Sequence, residues 1–487
     1  MIIIPIQNKK HLYILFLILF GSLLFHSSLY FIINVNQYNF YDTDTWYSIR
    51  QIDRQTHGEN IEYDSMLNYP EGRSIDWGIA LPIFYSLFVN KYDSTLEIFN
   101  KVGFLPPILS ALFVLLIYFL VSKLFSETVG FYSSILLSIG TGIYFQNCLF
   151  GVIDHHLLES VLFTITILCF LLLVKEKSPL WAIPIFISVV ILFFTSVLWI
   201  FFCGILIICI IILFLYYCFL NRIVILTSTL IITVGILYVK DTQWFSLLWW
   251  VEPISEVATS DLIILIFRFN ILIPLFILGV ILYAISKKEF STTCLLLISF
   301  ILMILTYRFT RMEYLLTPFV LILSAYFIDK FLTKQSPKIS YIIISTFLIF
   351  SIIIGSVVIY DFVETANNNT GWNDALLYLQ EQEQGGVLSW WDYGHWIVAV
   401  SSQPPLTDPF QDHVMDAAKI FTGEIKPELQ NYKYIIITKN DYKFYDAMLW
   451  YSKSEVAYEN SYLKKIICGE TNDELIFNNT LIRIYKI

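Results

Sequence analysis

The stretch "HLYILFLILFGSLLFHSSLYFIINVNQYNFYDTDTWYSIR" (residues 11–50) decides the fold. Residues 11–33 contain no Asp, Glu, Lys or Arg. A helix needs about 20 apolar residues to cross roughly 30 Å of hydrocarbon, and this run supplies them. Lys9 and Lys10 precede it and no small-residue cleavage site comes after it, so it reads as an anchor with a cytoplasmic N-terminus. Asp42 and Asp44 then stand just past the span, at the opposite surface. Acids two apart can face one ion if the chain is extended. The bland alternative, a solvated loop entry, is about as good for a lone D-x-D.

Composition extends this outward. The 487 residues are 57% hydrophobic, 17% aromatic and 14% charged, where a soluble domain carries about 25% charge. One water-surrounded core could not bury so much Ile, Leu and Phe, which excludes an ordinary soluble enzyme, a disordered chain and a disulfide scaffold. A net charge of −9 leaves no basic face for nucleic acid.

Eleven spans are expected: 11–33, 104–122, 128–146, 157–174, 179–196, 198–220, 223–239, 262–285, 291–307, 312–328 and 339–360. The inner ends carry 11 basic and 4 acidic residues, the first outer loop (34–103) 5 basic and 10 acidic, and residues 361–487 10 basic and 18 acidic. This positive-inside pattern puts the outer loops 34–103, 147–156 and 240–261 and the tail outside the cell. The expected organisation is a membrane catalytic domain, 1–360, and a small extracytoplasmic α/β domain, 361–487, hinged at "NNNTG" (367–371). In the tail "YKYIIITK" (432–439) and "TLIRIYKI" (480–487) read as strands, and 373–384 and 413–424 as helices. Five cysteines fall in spans as packing residues, leaving Cys148 and Cys468 as an outer pair whose spacing supports no disulfide.

Three more outer features carry chemistry. "FGVIDHHLLES" (150–160) sets Asp154, His155 and His156 at the mouth of a span, suited to metal ligation, although Asp there could simply cap the helix. Glu159, one turn deeper, is placed to neutralise a ligand histidine. "WWVEPISEVATSD" (249–261) presents Glu252 and Glu256 around Pro253 on a loop that suits substrate capture or merely solubility. "TYRFTRMEYLLTP" (306–318) puts Arg308 and Arg311 on the outer side, against the positive-inside rule; an anionic headgroup partner explains them. The tail opens with "VLSWWDYGHWIVAV" (387–400), where Trp390, Trp391 and Asp392 make a pocket for a group bearing a hydroxyl and a methyl, or else a docking patch.

Together these residues resemble the catalytic subunit of oligosaccharyltransferase, above all the archaeal single-subunit enzymes of asparagine-linked glycosylation. The pentapeptide Trp390–Gly394 is the most specific mark. "DTDTWYSIR" is similar to the family's first acidic motif and "GVIDHHLLES" to its second. "PISE" (253–256) is similar to the outer-loop motif, and "QPPLTDPFQDHVMDAAKIFTGE" (403–424) to the segment C-terminal to the pentapeptide. The resemblance implies a C-type glycosyltransferase fold. It implies a lipid-linked glycan donor on a polyprenyl or dolichyl (pyro)phosphate and an Asn-x-Ser/Thr acceptor. Mn²⁺ or Mg²⁺ would be held by Asp44, Asp154 and His156. Asp44 and Glu256 would activate the acceptor amide. Trp390, Trp391 and Asp392, with Met448, would bind the sequon hydroxyl. Arg311 and His155 would bind the donor phosphate. Asp42, Arg268 and Arg308 are secondary candidates, Arg268 reading an acid before the acceptor Asn or serving as a helix-end anchor.

This chain departs from the family in Pro253, in Asn147 where an arginine is usual, and in length: residues 178–239 hold three spans where thirteen-span relatives need five. Two other readings stay open, a lipid-phosphate-sugar transferase acting on lipid or wall polymer, and a transporter. The former lacks the pentapeptide; the latter places its ionisable groups near the midplane.

Overall fold

The structure, a computed structural model, describes residues 9–75, 78–140, 142–196, 202–211, 268–269, 272–286, 290–332, 337–426 and 432–487. The expected span at 223–239 and the loop carrying Glu252 and Glu256 lie outside the described residues. The chain divides into two compact units.

The first unit comprises residues 1–28, 106–150 and 155–358. Its described helices include α1 (Lys9–His26), α3 (Leu105–Leu124), α4 (Glu127–Ile139), α5 (His155–Glu176), α6 (Ala182–Thr195), α7 (Leu272–Ser286), α8 (Phe290–Arg308), α9 (Glu313–Leu332) and the part of α10 (Pro337–Asn368) before residue 359. The acid-bearing helix α2 (Thr43–Thr56) belongs to the other unit. Four described segments are long and apolar enough to cross a membrane: Thr95–Leu124, His155–Glu176, Glu313–Phe331 and Ser345–Asn368. The chain is an integral membrane protein. α9 is the centre of the bundle, packed on α4, α5, α7 and α8 with nearly every side chain buried. Among such helices lipid gives no hydrophobic drive, so close packing and interhelical hydrogen bonds hold them together; the Ser160 hydroxyl of α5 donates to the Tyr314 carbonyl of α9 at 2.9 Å. α10 leaves Ile342, Ile349, Ile353, Val357 and Tyr360 exposed, an apolar surface fit for lipid. The expected span 128–146 is interrupted: α4 ends at Gly140 and a short helix, Gly142–Asn147, comes next.

The second unit comprises residues 29–105, 151–154 and 359–487. It joins the loop after α1 and the second motif's entry segment to the tail. A hairpin of two short strands, β1 (Tyr63–Asp64) and β2 (Arg73–Ser74), lies in the loop. The tail folds on a sheet of order β3 (Val387–Leu388), β4 (Tyr434–Thr438), β6 (Ile482–Lys486), β5 (Glu474–Asn478), with β3 parallel to β4 and the other pairs antiparallel. β4 is buried at all five positions, as its unbroken apolar run requires of a central strand. Helices α11 (Thr370–Gln380), α12 (Val414–Thr422) and α13 (Tyr445–Ser452) complete it. The expected hinge is a break at Asn369, whose side-chain amide donates to the Phe40 carbonyl at 2.7 Å. Loop and tail share an aromatic core: Trp46 stacks on Phe99 at 5.3 Å, and Phe40 meets Trp396 at 5.1 Å. Cys148 and Cys468 are free thiols.

Candidate functional site

The first motif starts α2. Asp42 is its N-cap, with extended backbone, and accepts the Thr45 N–H at 2.9 Å. Such a cap satisfies an orphan donor of the first turn and typically contributes about 1 kcal/mol. The extended D-x-D arrangement is therefore replaced by a helical one: Asp42 caps, and Asp44 projects from the first turn. The Thr45 hydroxyl is shared between the Asp42 carboxylate (2.5 Å) and the Gly151 carbonyl (3.0 Å), and it accepts the Ile153 N–H at 3.0 Å. One threonine thus ties the acidic motif to the segment that delivers Asp154. That segment turns at Gly151, where φ is +77° and a Cβ would lie 2.1 Å from the Tyr41 hydroxyl. Burial and the nearby negative charge of Asp154 raise the Tyr85 phenol.

Asp154 immediately precedes α5. Asp154, His155 and His156 are consecutive, and each offers a donor atom within 4.8 Å of the others. Carboxylate and imidazole donors at this spacing fit a divalent cation. The resemblance implies Asp44, Asp154 and His156 as the set, and His155 is a further candidate donor beside two of them. Support behind His156 is extensive. Its Nδ1 lies 3.1 Å from Glu159, its ring stacks on Tyr314 at 4.8 Å, and the Tyr314 hydroxyl donates to the same Glu159 carboxylate. A carboxylate on one ring nitrogen fixes the tautomer and frees the other to ligate.

Arg268 donates to Glu313 at 2.8 Å, and Glu313, fully buried, also accepts the Ile143 N–H at 3.0 Å. The pair ties Arg268 to the first turn of α9. Arg311 lies in the single turn Thr310–Met312 between α8 and α9, and Arg308 ends α8. Glu256 lies outside the described residues.

The pentapeptide comes directly after the buried strand β3. Trp390 is extended, Trp391–Tyr393 make one 3₁₀ turn, and Gly394 opens a short helix. Trp390 is wholly buried, stacked on Phe444 at 6.4 Å and edge-on to Tyr451 at 6.1 Å. Tyr451 sits one turn after Met448 on α13, and Met448 is fully buried. Trp391 and Asp392 are half-buried. The Trp391 indole Nε1 is buried with no hydrogen-bond partner among the described residues. Burial and the Asp392 charge push Tyr451 up to about 12. Tyr393 donates to Asp441 at 2.9 Å, and Asp441 also accepts the Thr438 N–H and hydroxyl.

Burial raises Asp441 to about 6, and Asp408 likewise. Both then bind a proton more tightly folded than unfolded, where a carboxyl titrates near 3.9. Their stabilising contribution is full below that value and is lost as pH rises through about 6. The thermal midpoint of the second unit should therefore rise between pH 7.5 and 5.5, and Asp441→Asn should flatten the rise. A midpoint that falls over this interval contradicts it.

Sequence reasoning missed several supporting residues. His395, next after the pentapeptide, is buried at 1% exposure and lies 3.8 Å from Asp44. Burial holds it down at about 3 and Arg73 adds to this, so the ring is neutral at physiological pH. Thr45 and Tyr314 also gave no signal, because an isolated Thr or Tyr has no diagnostic spacing.

A family model described as "Oligosaccharyl transferase STT3, N-terminal" matches residues 11–265, and one described as "AglB core domain" matches 360–440. Dolichyl-phosphooligosaccharide-protein glycotransferases 3 and 1 of Archaeoglobus fulgidus are each 37% identical, over 83 and 82 residues. Those stretches are 14% and 16% of this chain and 10% and 14% of the relatives, so the matched stretch is a small part of their length. Among solved structures, the apo Archaeoglobus fulgidus oligosaccharyltransferase is similar at TM-score 0.73 and 18% identity, covering 92% of this chain and 72% of that one. Archaeal AglB from the same organism, in complex with an inhibitory peptide and a dolichol-phosphate, gives 0.73 at 17%, covering 95% and 78%. ArnT from Cupriavidus metallidurans gives 0.52 at 9%, covering 98% and 97%. The fold is that of C-type membrane glycosyltransferases, and with more than half of its length matched by the STT3 model the chain belongs to the oligosaccharyl transferase STT3 family.

Proposed function

We propose that this chain is an oligosaccharyltransferase. It moves a glycan from a polyprenyl or dolichyl (pyro)phosphate carrier onto the Asn of Asn-x-Ser/Thr, as a single-subunit enzyme. The observation that carries this is the pentapeptide's unpartnered Trp391 Nε1, held in one compact unit with Asp44. A carboxamide nitrogen is a poor nucleophile because its lone pair is delocalised into the carbonyl. Asp44 and Glu256 each accept a hydrogen bond from one N–H of the acceptor carboxamide, twisting it and freeing its nitrogen to attack the sugar C1; the C1–N bond forms with inversion as the C1–O bond to the phosphate breaks, and one amide proton passes to a carboxylate. Arg311, assisted by His155, meets the charge developing on the departing phosphate. Asp154 and His156, with Asp44, hold the ion, and Glu159 and Tyr314 keep His156 in ligating orientation. A bound Mn²⁺ or Mg²⁺ supplies Lewis acidity to the phosphate leaving group.

In this reading residues 1–360 are the membrane catalytic domain, with eleven spans and the N-terminus inside, and 361–487 the extracytoplasmic domain. Purified protein, lipid-extracted donor and a labelled Asn-Val-Thr peptide test it. Transfer is expected, and EDTA should abolish it until Mn²⁺ or Mg²⁺ is restored. Full transfer in EDTA removes the metal role. Glycan appearing on lipid rather than peptide favours the lipid-modifying alternative.

A further inference from the structure

The histidine next after the pentapeptide has no role in the chemistry above, yet its surroundings are built. His395 is buried at 1% exposure; neither ring nitrogen makes a hydrogen bond of good geometry among the described residues, and the nearest backbone group is that of Thr43, one residue before Asp44. Leaving such a group unsatisfied costs about 1–3 kcal/mol, so an orphaned buried imidazole calls for a purpose. Packing fixes the ring. It lies flat on Tyr47, with centroids 4.9 Å apart and planes 27° apart, and meets Phe410 edge-on at 5.4 Å. Tyr47 is one helical turn from Asp44 on α2, so the element that carries the carboxylate also clamps the ring. One edge of the ring approaches the start of α2, beside the Thr43 backbone, with Nδ1 3.8 Å from Asp44 Oδ1. An N–H···O bond is about 2.9 Å long, so a small side-chain rotation of Asp44 closes the gap.

On the other side, His395 is rigidly joined to the sequon pocket. It stands three residues after Asp392, in the short helix Gly394–Trp396. Its neighbour Trp396 donates from Nε1 to the Asp42 carbonyl at 3.3 Å. The helix that begins at the pentapeptide's glycine thus approaches the N-terminal turn of α2 twice, through Trp396 and through His395.

We propose that His395 is a positioning residue that donates from Nδ1 to the Asp44 carboxylate, orienting it and coupling the Trp391–Asp392 pocket to the reacting end of the site. The assignment of Asp44 as a ligand and amide acceptor rests on the proposed function. A hydroxyl seated beside Trp391 and a carboxylate aimed at the amide then share one rigid turn, and the Asn and Thr of one acceptor are held at a fixed separation.

Three variants of the full chain in detergent test this. Asn places its amide nitrogen where Nδ1 stands, Gln where Nε2 stands, and Phe keeps only the ring. Manganese alone is titrated by EPR, and kcat and KM are measured separately with Asn-Val-Thr peptide. Loss of a hydrogen bond behind a metal ligand typically weakens metal affinity about 10–100-fold. His395→Phe should lose that much manganese affinity and a comparable factor in kcat, with peptide KM within about 3-fold. His395→Asn should recover most of both, and His395→Gln should not. Should the Phe variant fail to fold, the Asn–Gln contrast decides alone. Parent-like manganese affinity in the Phe or Gln variant overturns the proposal, as does an effect confined to KM. Parent protein that binds manganese but transfers no glycan would sink the functional reading instead, leaving the titrations to decide this one.

Discussion

Replacing Gly394 by Ala should lower the melting temperature of the second unit by about 6–12 °C and, on the proposed function, abolish peptide transfer. The reason is a close approach of backbones. A Cβ on Gly394 would lie 2.5 Å from the Thr407 carbonyl oxygen and 2.6 Å from Asp408 Cα. Those atoms cannot swing aside as a side-chain tip could. Residues 404–406 are pinned to β3, with the Val387 N–H donating to the Pro404 carbonyl at 2.9 Å and the Leu406 N–H to the Val387 carbonyl at 2.8 Å. Asp408 is held in turn by the Phe410 N–H at 2.8 Å. The helix beginning at Gly394 must lift away, carrying Asp392 and Trp391 out of place. Overpacking of this kind costs about 3 kcal/mol, which in a unit of this size gives the stated shift. Thermal unfolding tracked by tryptophan fluorescence checks it. A variant melting within about 1 °C of the parent, with the parent's peptide KM, would show that the approach is not tight.

This glycine also marks where reading the sequence stopped being enough. Hydropathy foretold the membrane helices wherever apolar runs are long: α5 and α9 fall within a few residues of the expected spans, because about 20 apolar residues have one cheap arrangement in lipid. β4 and β6 were legible for the matching reason in water, short apolar runs bounded by charge. Asp154, His155 and His156 were legible as candidate ligands because three donors stand in sequence. What the sequence could not tell was which side chain does which job within a motif. Asp42 and Asp44 look equivalent in "DTD", and only the start of α2 at Thr43 makes one a cap and the other a projecting acid. Nor could the sequence tell that Arg268 pairs with Glu313, 45 residues on. His395 was passed over because its partners, Tyr47 and Asp44, are about 350 residues away in sequence. Long-range pairing of this kind leaves no periodic trace.

On the proposed function, Trp391→Phe should cut the preference for Asn-x-Thr over Asn-x-Ala by about 10–100-fold while leaving the fold as stable as the parent. Both halves rest on one observation. The Trp391 Nε1 is buried and has no hydrogen-bond partner among the described residues, so the free protein bears the desolvation of a donor that gains nothing in return. Removing the donor relieves that penalty and offsets the smaller ring, and stability should stay within about 1 kcal/mol of the parent. When acceptor binds, the threonine hydroxyl can accept this N–H while donating to Asp392, and a site so built rejects an analogue lacking the hydroxyl by about 10⁴. Phe keeps the wall of the pocket and loses the donor. Thr-peptide kcat/KM should fall by about 10–100-fold, with Ala-peptide turnover hardly changed, because that peptide never used the bond. Trp390→Phe makes the contrast: Trp390 is packed between Phe444 and Tyr451, so its loss should appear in the melting temperature. Competition between the two peptides, read by mass spectrometry alongside a thermal melt, separates the roles. A Trp391→Phe protein that discriminates as the parent does, or one that melts early, would mean that the indole is structural and that the hydroxyl is read elsewhere.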